Sequence, residues 1–228
     1  MKILRVIWLL LNLLVITVIV CLTILIIGGF DPQKNITGKI ARLWGKGMLW
    51  LNGIHWKLEG IDKLSPSGKY VFVCNHESAA DIPIAIASLP FNIVFLTKKE
   101  LFRIPLFGWS MLVGGMIKVD RQHKKKAKAS VDYAIEQVQK RNISIIVFPE
   151  GTRSETGELL PFKKGSFILA IRTGLPLVPV TIIGARNVLS KASITPNPGM
   201  TTIHIDEPIP TANLDENDHD ELLTQARE

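Results

Sequence analysis

YVFVCNHESAAD, residues 70–81, joins a run of large apolar residues to a short polar stretch that ends on an acid. Residues 70–74 have the length and side-chain type of a buried strand. Pro83 fits only the first turn of a helix, where its missing N–H costs nothing. The stretch therefore reads as strand, turn and helix, with His76 in the turn and Asp81 where the helix begins. ISIIVFPEGTRS, residues 143–154, repeats the pattern of an apolar run that stops at a polar loop. Further short apolar runs predict strands at 55–59, 93–96, 116–119, 177–183 and 202–205. Helical stretches at 82–88, 107–113, 125–140, 164–172 and 215–227 separate them. That alternation predicts an α/β fold: a single domain, residues 55–228, with a mixed sheet flanked by helices.

The domain has an apolar preface. Residues 3–27 are almost all Leu, Ile and Val, broken by Arg5 and Asn12. About 25 residues at ~1.5 Å each make ~37 Å of helix, more than the ~30 Å hydrocarbon core of a bilayer. The run is too long for the apolar part of a leader peptide, and no small-x-small site precedes Asp31. Residues 1–30 are therefore expected to be a retained membrane anchor. Residues 31–54 carry an amphipathic helix, with Ile36, Ile40, Leu43, Trp44 and Leu51 on one face and Lys39, Arg42 and Lys46 on another. Such a helix suits a membrane interface. Basic residues after the anchor outnumber Lys2 and Arg5 before it, which favours a domain on the cytoplasmic side of the cell (inner) membrane.

The net charge of +7 points to an anionic partner, phosphate or lipid. Nucleic acid is a poor fit, because zinc-finger spacing, an RNP signature and a helix-turn-helix cue are all absent. Two cysteines, Cys21 in the anchor and Cys74 in a strand, are badly placed for a disulfide and fit a reducing compartment.

On one continuous helix His76 and Asp81 would lie ~140° apart and could not meet. With His76 in a turn and Asp81 at a helix start, they can. A carboxylate on Nδ1 fixes the tautomer and leaves Nε2 to accept a proton. The nucleophile could be Ser78, Cys74 or a hydroxyl of the substrate, and the last needs only His76 and Asp81. The G-x-S-x-G elbow is absent. In FPEGTRS, Gly151 allows close backbone approach, Thr152 can donate a hydrogen bond and Arg153 can grip a phosphate. The G-x-x-x-x-G-K-[ST] phosphate loop is absent. Two more strand ends carry Thr97, Lys98 and Lys99, and Val119, Asp120 and Arg121. Together these strand ends describe a site for a phosphorylated substrate.

These blocks resemble the glycerolipid acyltransferase superfamily, most closely its bacterial 1-acyl-sn-glycerol-3-phosphate (lysophosphatidic acid) acyltransferases. Asn75 to Asp81 match N-H-x-x-x-x-D, with Ser78 in its common place. Lys98, Glu100, Leu101, Pro105 and Gly108 match K-x-E-L…P-x-x-G, leading to Gly115, Ile117, Asp120 and Arg121. F-P-E-G-T-R-S is followed by Phe162, Lys163, Lys164 and Gly165, and Val178, Pro179 and Val180 match a short proline block. The likeness runs over roughly residues 35–210.

The resemblance implies that His76 deprotonates the acceptor hydroxyl and Asp81 orients it. The alkoxide would attack a fatty acyl thioester of coenzyme A or acyl carrier protein, with no metal, cofactor or acyl-enzyme. Arg121 and Arg153 would hold the acceptor phosphate. Lys98 and amides near Gly151 would stabilise the oxyanion, Glu150 and Thr152 would shape the acceptor pocket, and Pro179 would form its wall. The expected reaction converts lysophosphatidic acid to phosphatidic acid at a phospholipid membrane. Other acceptors (glycerol 3-phosphate, another lysophospholipid, an amino-acid lipid) or a silent lipid-binding role are the alternatives.

Overall fold

The computed structural model describes residues 2–120 and 124–227. Helix α1 (Lys2–Ile27) turns through a 3₁₀ segment, Gly28–Phe30, into α2 (Asn35–Leu51). The first-turn N–H groups of a helix lack partners inside it. Asp31 supplies them, accepting from Asn35 N at 3.0 Å and Thr37 N at 2.7 Å. Lys34 closes the elbow in the left-handed region (φ 59°) and donates from Nζ to Gly28 O at 2.7 Å.

The helix α1 does not project away from the domain. It folds back along α2, with Trp44 Nε1 donating to Thr17 Oγ1, Asn52 Nδ2 to Asn12 Oδ1 and Trp8 Nε1 to Leu51 O. These contacts explain one of the two polar interruptions in the apolar run: Asn12 is buried and accepts from Asn52.

Seven strands form the sheet: β1 (Ile54–Glu59), β2 (Val71–Cys74), β3 (Ile93–Lys98), β4 (Ile117–Val119), β5 (Ser144–Val147), β6 (Leu177–Ile183) and β7 (Gly199–Ile205). Their spatial order is β1-β7-β6-β2-β5-β3-β4. Strands β2 to β6 run parallel, β7 is antiparallel to β6, and β1 is parallel to β7, so the sheet is mixed as expected. The helices after α2 are α3 (Asp81–Ser88), α4 (Phe107–Val113), α5 (Lys124–Lys140), α6 (Gly165–Thr173), α7 (Ala185–Val188) and α8 (His219–Gln225).

Parallel strands are covered on both faces, so both faces of each must be apolar. Phe72 and Cys74 of β2 join one core layer with Leu49 of α2 and Ile84 of α3. Val71 and Val73 join the other, with Val138 of α5, Phe167 of α6 and Leu222 of α8. The helices α2 and α3 approach closely because position 45 is glycine: an added Cβ would stand 2.8 Å from Pro83 O.

Chain routing then opens the site. From β2 the chain passes through α3 to β3 on one side, and from β5 it passes through α6 to β6 on the other. The carboxyl ends of β2 and β5 are neighbours whose exits diverge, which leaves a crevice between them.

The expected apolar face of α2 divides in the structure: Ile36 and Leu43 are exposed, Ile40, Trp44 and Leu51 are half-buried, and Thr37, Gly45, Met48 and Leu49 are the buried residues. Gly45 lets the inner face pack closely on α3, where Met48 and Leu49 are also buried, while Ile36, Leu43 and Trp50 face outward.

Candidate active site

The turn after β2 is wrapped around one carboxylate. Asp81, 1% exposed and first in α3, accepts at Oδ2 from Glu77 N (2.9 Å) and Ser78 N (2.8 Å) and lies 2.8 Å from His76 Nδ1. A buried anion at a helix start gains from the helix dipole and from two backbone donors. The loop's own N–H groups thus hold the acid that orients the imidazole. With Nδ1 committed, Nε2 is the ring's remaining polar atom.

The β5 loop holds His76 from below. Glu150, 3% exposed, accepts from His76 N at 2.6 Å and from Leu160 N at 2.9 Å, one bond to each carboxylate oxygen. His76 O accepts from Ser154 N at 2.9 Å. The Phe148 ring stacks on the imidazole, centroids 4.1 Å apart and planes 18° from parallel. Gly151 takes φ 71°, a conformation that favours glycine, and its N–H donates to Phe148 O. On the far side Asn75 pairs its amide with both backbone groups of Ile182 in β6, accepting from N at 2.7 Å and donating to O at 3.0 Å.

A cavity of about 670 Å³ lies between this edge of the sheet and helices α1 to α4. Its polar lining includes His76, Lys98, Thr152 and Arg153, and its apolar lining includes Ile24, Ala41, Ile86, Phe95 and Met111. The volume is that of a pocket for a drug-sized ligand. Gly151 also lines it. Of the other residues singled out in the sequence, Glu150 sits behind the wall as a strut. Pro179 sits in β6 opposite Val73, away from the cavity lining. Arg121 lies outside the described residues.

Neither local nucleophile is presented to the cavity. Cys74 is wholly buried, and burial, helped by the Asp81 charge, pushes its thiol well above the usual range. Ser78 is 0% exposed; its hydroxyl donates to Leu189 O and accepts from Ala80 N. Ser78→Ala should lower stability by about 1–2 kcal/mol, through the carbonyl left unpaired, and keep most activity. Thermal melts beside an acyl-transfer assay check this, and abolished activity in a folded variant would restore Ser78 as a nucleophile.

Phe148 and Asn75 emerge as positioning residues. Both stand inside quoted motifs, yet their partners follow from the β2–β5 and β2–β6 register, which sequence spacing does not contain. The contribution of α1 and α2 to the cavity was equally hidden. Its only trace is Thr17, Cys21, Gly38 and Ala41, small residues in otherwise bulky helices.

The acyltransferase family model matches residues 55–183. A 1-acyl-sn-glycerol-3-phosphate acyltransferase of Cocos nucifera is 34% identical over 184 residues, covering 81% of this chain and 58% of its own. That of Saccharomyces cerevisiae is 33% identical over 190 residues, covering 82% of this chain and 62% of its own. The chain thus spans about three fifths of the length of these curated relatives. The crystal structure of the 1-acyl-sn-glycerophosphate (LPA) acyltransferase PlsC from Thermotoga maritima superposes with a TM-score of 0.82 at 25% identity, over 98% of this chain and 93% of that one. The matched stretch of the family model contains both the His76–Asp81 turn and the FPEGTRS loop that holds it, and this chain belongs to the acyltransferase family.

Proposed function

We propose that the chain is an O-acyltransferase that moves a fatty acyl group from an acyl thioester, on coenzyme A or acyl carrier protein, to the sn-2 hydroxyl of 1-acyl-sn-glycerol 3-phosphate, giving phosphatidic acid. The observation that carries this is the 2.8 Å His76–Asp81 pair set at the edge of a largely apolar cavity that Arg153 and Lys98 also line. The names of the relatives supply the acceptor.

His76 Nε2 takes the hydroxyl proton, and the acceptor oxygen forms a bond to the thioester carbon. Charge passes to the carbonyl oxygen, and Lys98 and the backbone amides near Gly151 are assigned to stabilise it. The C–S bond then breaks, and the imidazolium returns its proton to the thiolate. Asp81 holds the ring and offsets its charge while it is protonated. No protein nucleophile, metal or cofactor is needed in this scheme. Arg121 and Arg153 are assigned to the acceptor phosphate, Thr152 and Glu150 to the shape of the acceptor side, and Pro179 to support behind it.

Placement at a membrane follows from surface chemistry. The segment Lys2–Phe30 is long and apolar enough to cross a bilayer and is mostly unburied. Because α1 is folded back on α2, we place both helices in one leaflet, with Ile36, Leu43 and Trp50 in lipid. Residues 1–30 act as anchor, 31–54 as interfacial helix and 55–228 as catalytic domain. The basic residues of α2 support a cytoplasmic face on the cell membrane.

A panel of acceptors against one acyl thioester tests the reading, and absent turnover with lysophosphatidic acid rejects the acceptor. Arg153→Ala should raise the acceptor KM by about 10- to 100-fold, the worth of a charge-assisted contact, with a smaller change in the donor KM. Unchanged acceptor saturation would remove Arg153 from the phosphate site.

A further inference from the structure

We infer that the segment from Leu101 to Leu112 is a third lipid-contacting element, inserted beside α1 into the acyl region of the same leaflet. This rests on the reading of α1 as a membrane helix. Nothing in the hydropathy of residues 101–112 announces it, since Arg103, Pro105 and two polar or small positions interrupt the run.

The structure turns these residues two ways. Leu101, Phe107, Ser110 and Met111 line the cavity. Ile104, Trp109 and Leu112 point the other way and are 45%, 57% and 54% exposed. A soluble surface seldom groups a Trp and two large aliphatic residues on so short a segment without a partner. The partner is indicated by what lies alongside. Ser110 Oγ lies 3.0 Å from Cys21 Sγ, and a Cβ at Gly28 would fall 2.4 Å from Val113 Cγ1, so α4 and the end of α1 touch. On α1, Leu22 and Ile26 are exposed, and Phe30 beyond it is 88% exposed. The phase that surrounds those residues therefore also reaches α4. A continuous apolar band results, and Trp109 suits the boundary between acyl chains and headgroups.

The consequence concerns the cavity. α4 and α1 are walls of the cavity on their inner sides and meet lipid on their outer sides, so the apolar chamber lies against the acyl region of the leaflet.

The test uses the full chain reconstituted in phosphatidylglycerol–phosphatidylethanolamine vesicles. Cys21 and Cys74 are buried, so single added cysteines at Trp109, Leu112, Ile26 and Gln139 can be spin-labelled selectively. Gln139 is exposed on α5, on the opposite face of the sheet. Each label's collision rates with oxygen, which concentrates in lipid, and with a water-soluble nickel chelate are compared. Labels at 109 and 112 should favour oxygen as the label at 26 does, and the label at 139 should favour nickel. Labels at 109 and 112 that behave like 139, with 26 in lipid, overturn this proposal alone. Aqueous behaviour at 26 as well overturns the membrane placement with it. The measurement needs no turnover, so it stands apart from the assignment of the reaction.

Discussion

His76→Ala should reduce acyl transfer by roughly 100- to 10,000-fold, the usual worth of a positioned general base, while the protein stays folded. The ring touches Phe148 and Asp81, and its side chain is only 15% exposed, yet it adjoins a cavity rather than a packed layer. Its backbone bonds to Glu150 and Ser154 survive the substitution. Steady-state rates with lysophosphatidic acid and an acyl thioester, beside circular dichroism melts, measure both. A folded variant with near wild-type rate would end the general-base assignment. Asp81→Asn makes a stricter companion. It keeps the carboxylate's shape and removes the charge that offsets the imidazolium. Asp81 Oδ1 is buried without a hydrogen-bond partner among the described residues, so the new amide would also bury unpaired N–H groups there. This variant should lose rate nearly as severely and stability besides.

Glu150→Gln separates two roles that the sequence could not. If Glu150 touched the acceptor, the substitution would raise the acceptor KM. As a strut between His76 N and Leu160 N, it needs two acceptors, and a glutamine has one oxygen. One buried N–H would then face an amide N–H. The expected cost is about 3 kcal/mol, which is a fall in Tm of about 10 °C for a chain of this size. The rate should fall because the His76 backbone loses its anchor, while the acceptor KM changes less than about three-fold, under ~0.7 kcal/mol of binding. A normal melt with a raised KM would return Glu150 to the acceptor pocket.

The proposed reaction needs a lipid acceptor beside a polar proton-transfer site, and the fold offers both environments by division of labour. The strand ends provide charge and hydrogen bonds, and the helices before β1 provide an apolar chamber. That is why α1 and α2, outside the matched family region, still contribute to the site.

Much of this was legible in order along the chain. Pro83 marks the start of α3, so His76 falls in a turn and Asp81 at a helix terminus, and local chemistry then brings the two together. The apolar runs 70–74 and 143–148 reveal strands because a strand buried on both faces must be apolar throughout. Motif residues at successive strand ends announce a site because parallel strands share one carboxyl edge.

Contacts between distant segments were not legible. The stacking of Phe148 on His76, the Glu150 strut and the Asn75 pairing to β6 depend on which strands are neighbours, and strand order carries no local signature. The outward turn of Ile36, Leu43 and Trp50 depends on how closely α2 meets α3, a matter of Gly45 against Pro83. Periodicity in a sequence shows that a helix has an apolar side. Which side meets protein and which is left facing outward is settled by close packing, and that exists only once the chain has folded.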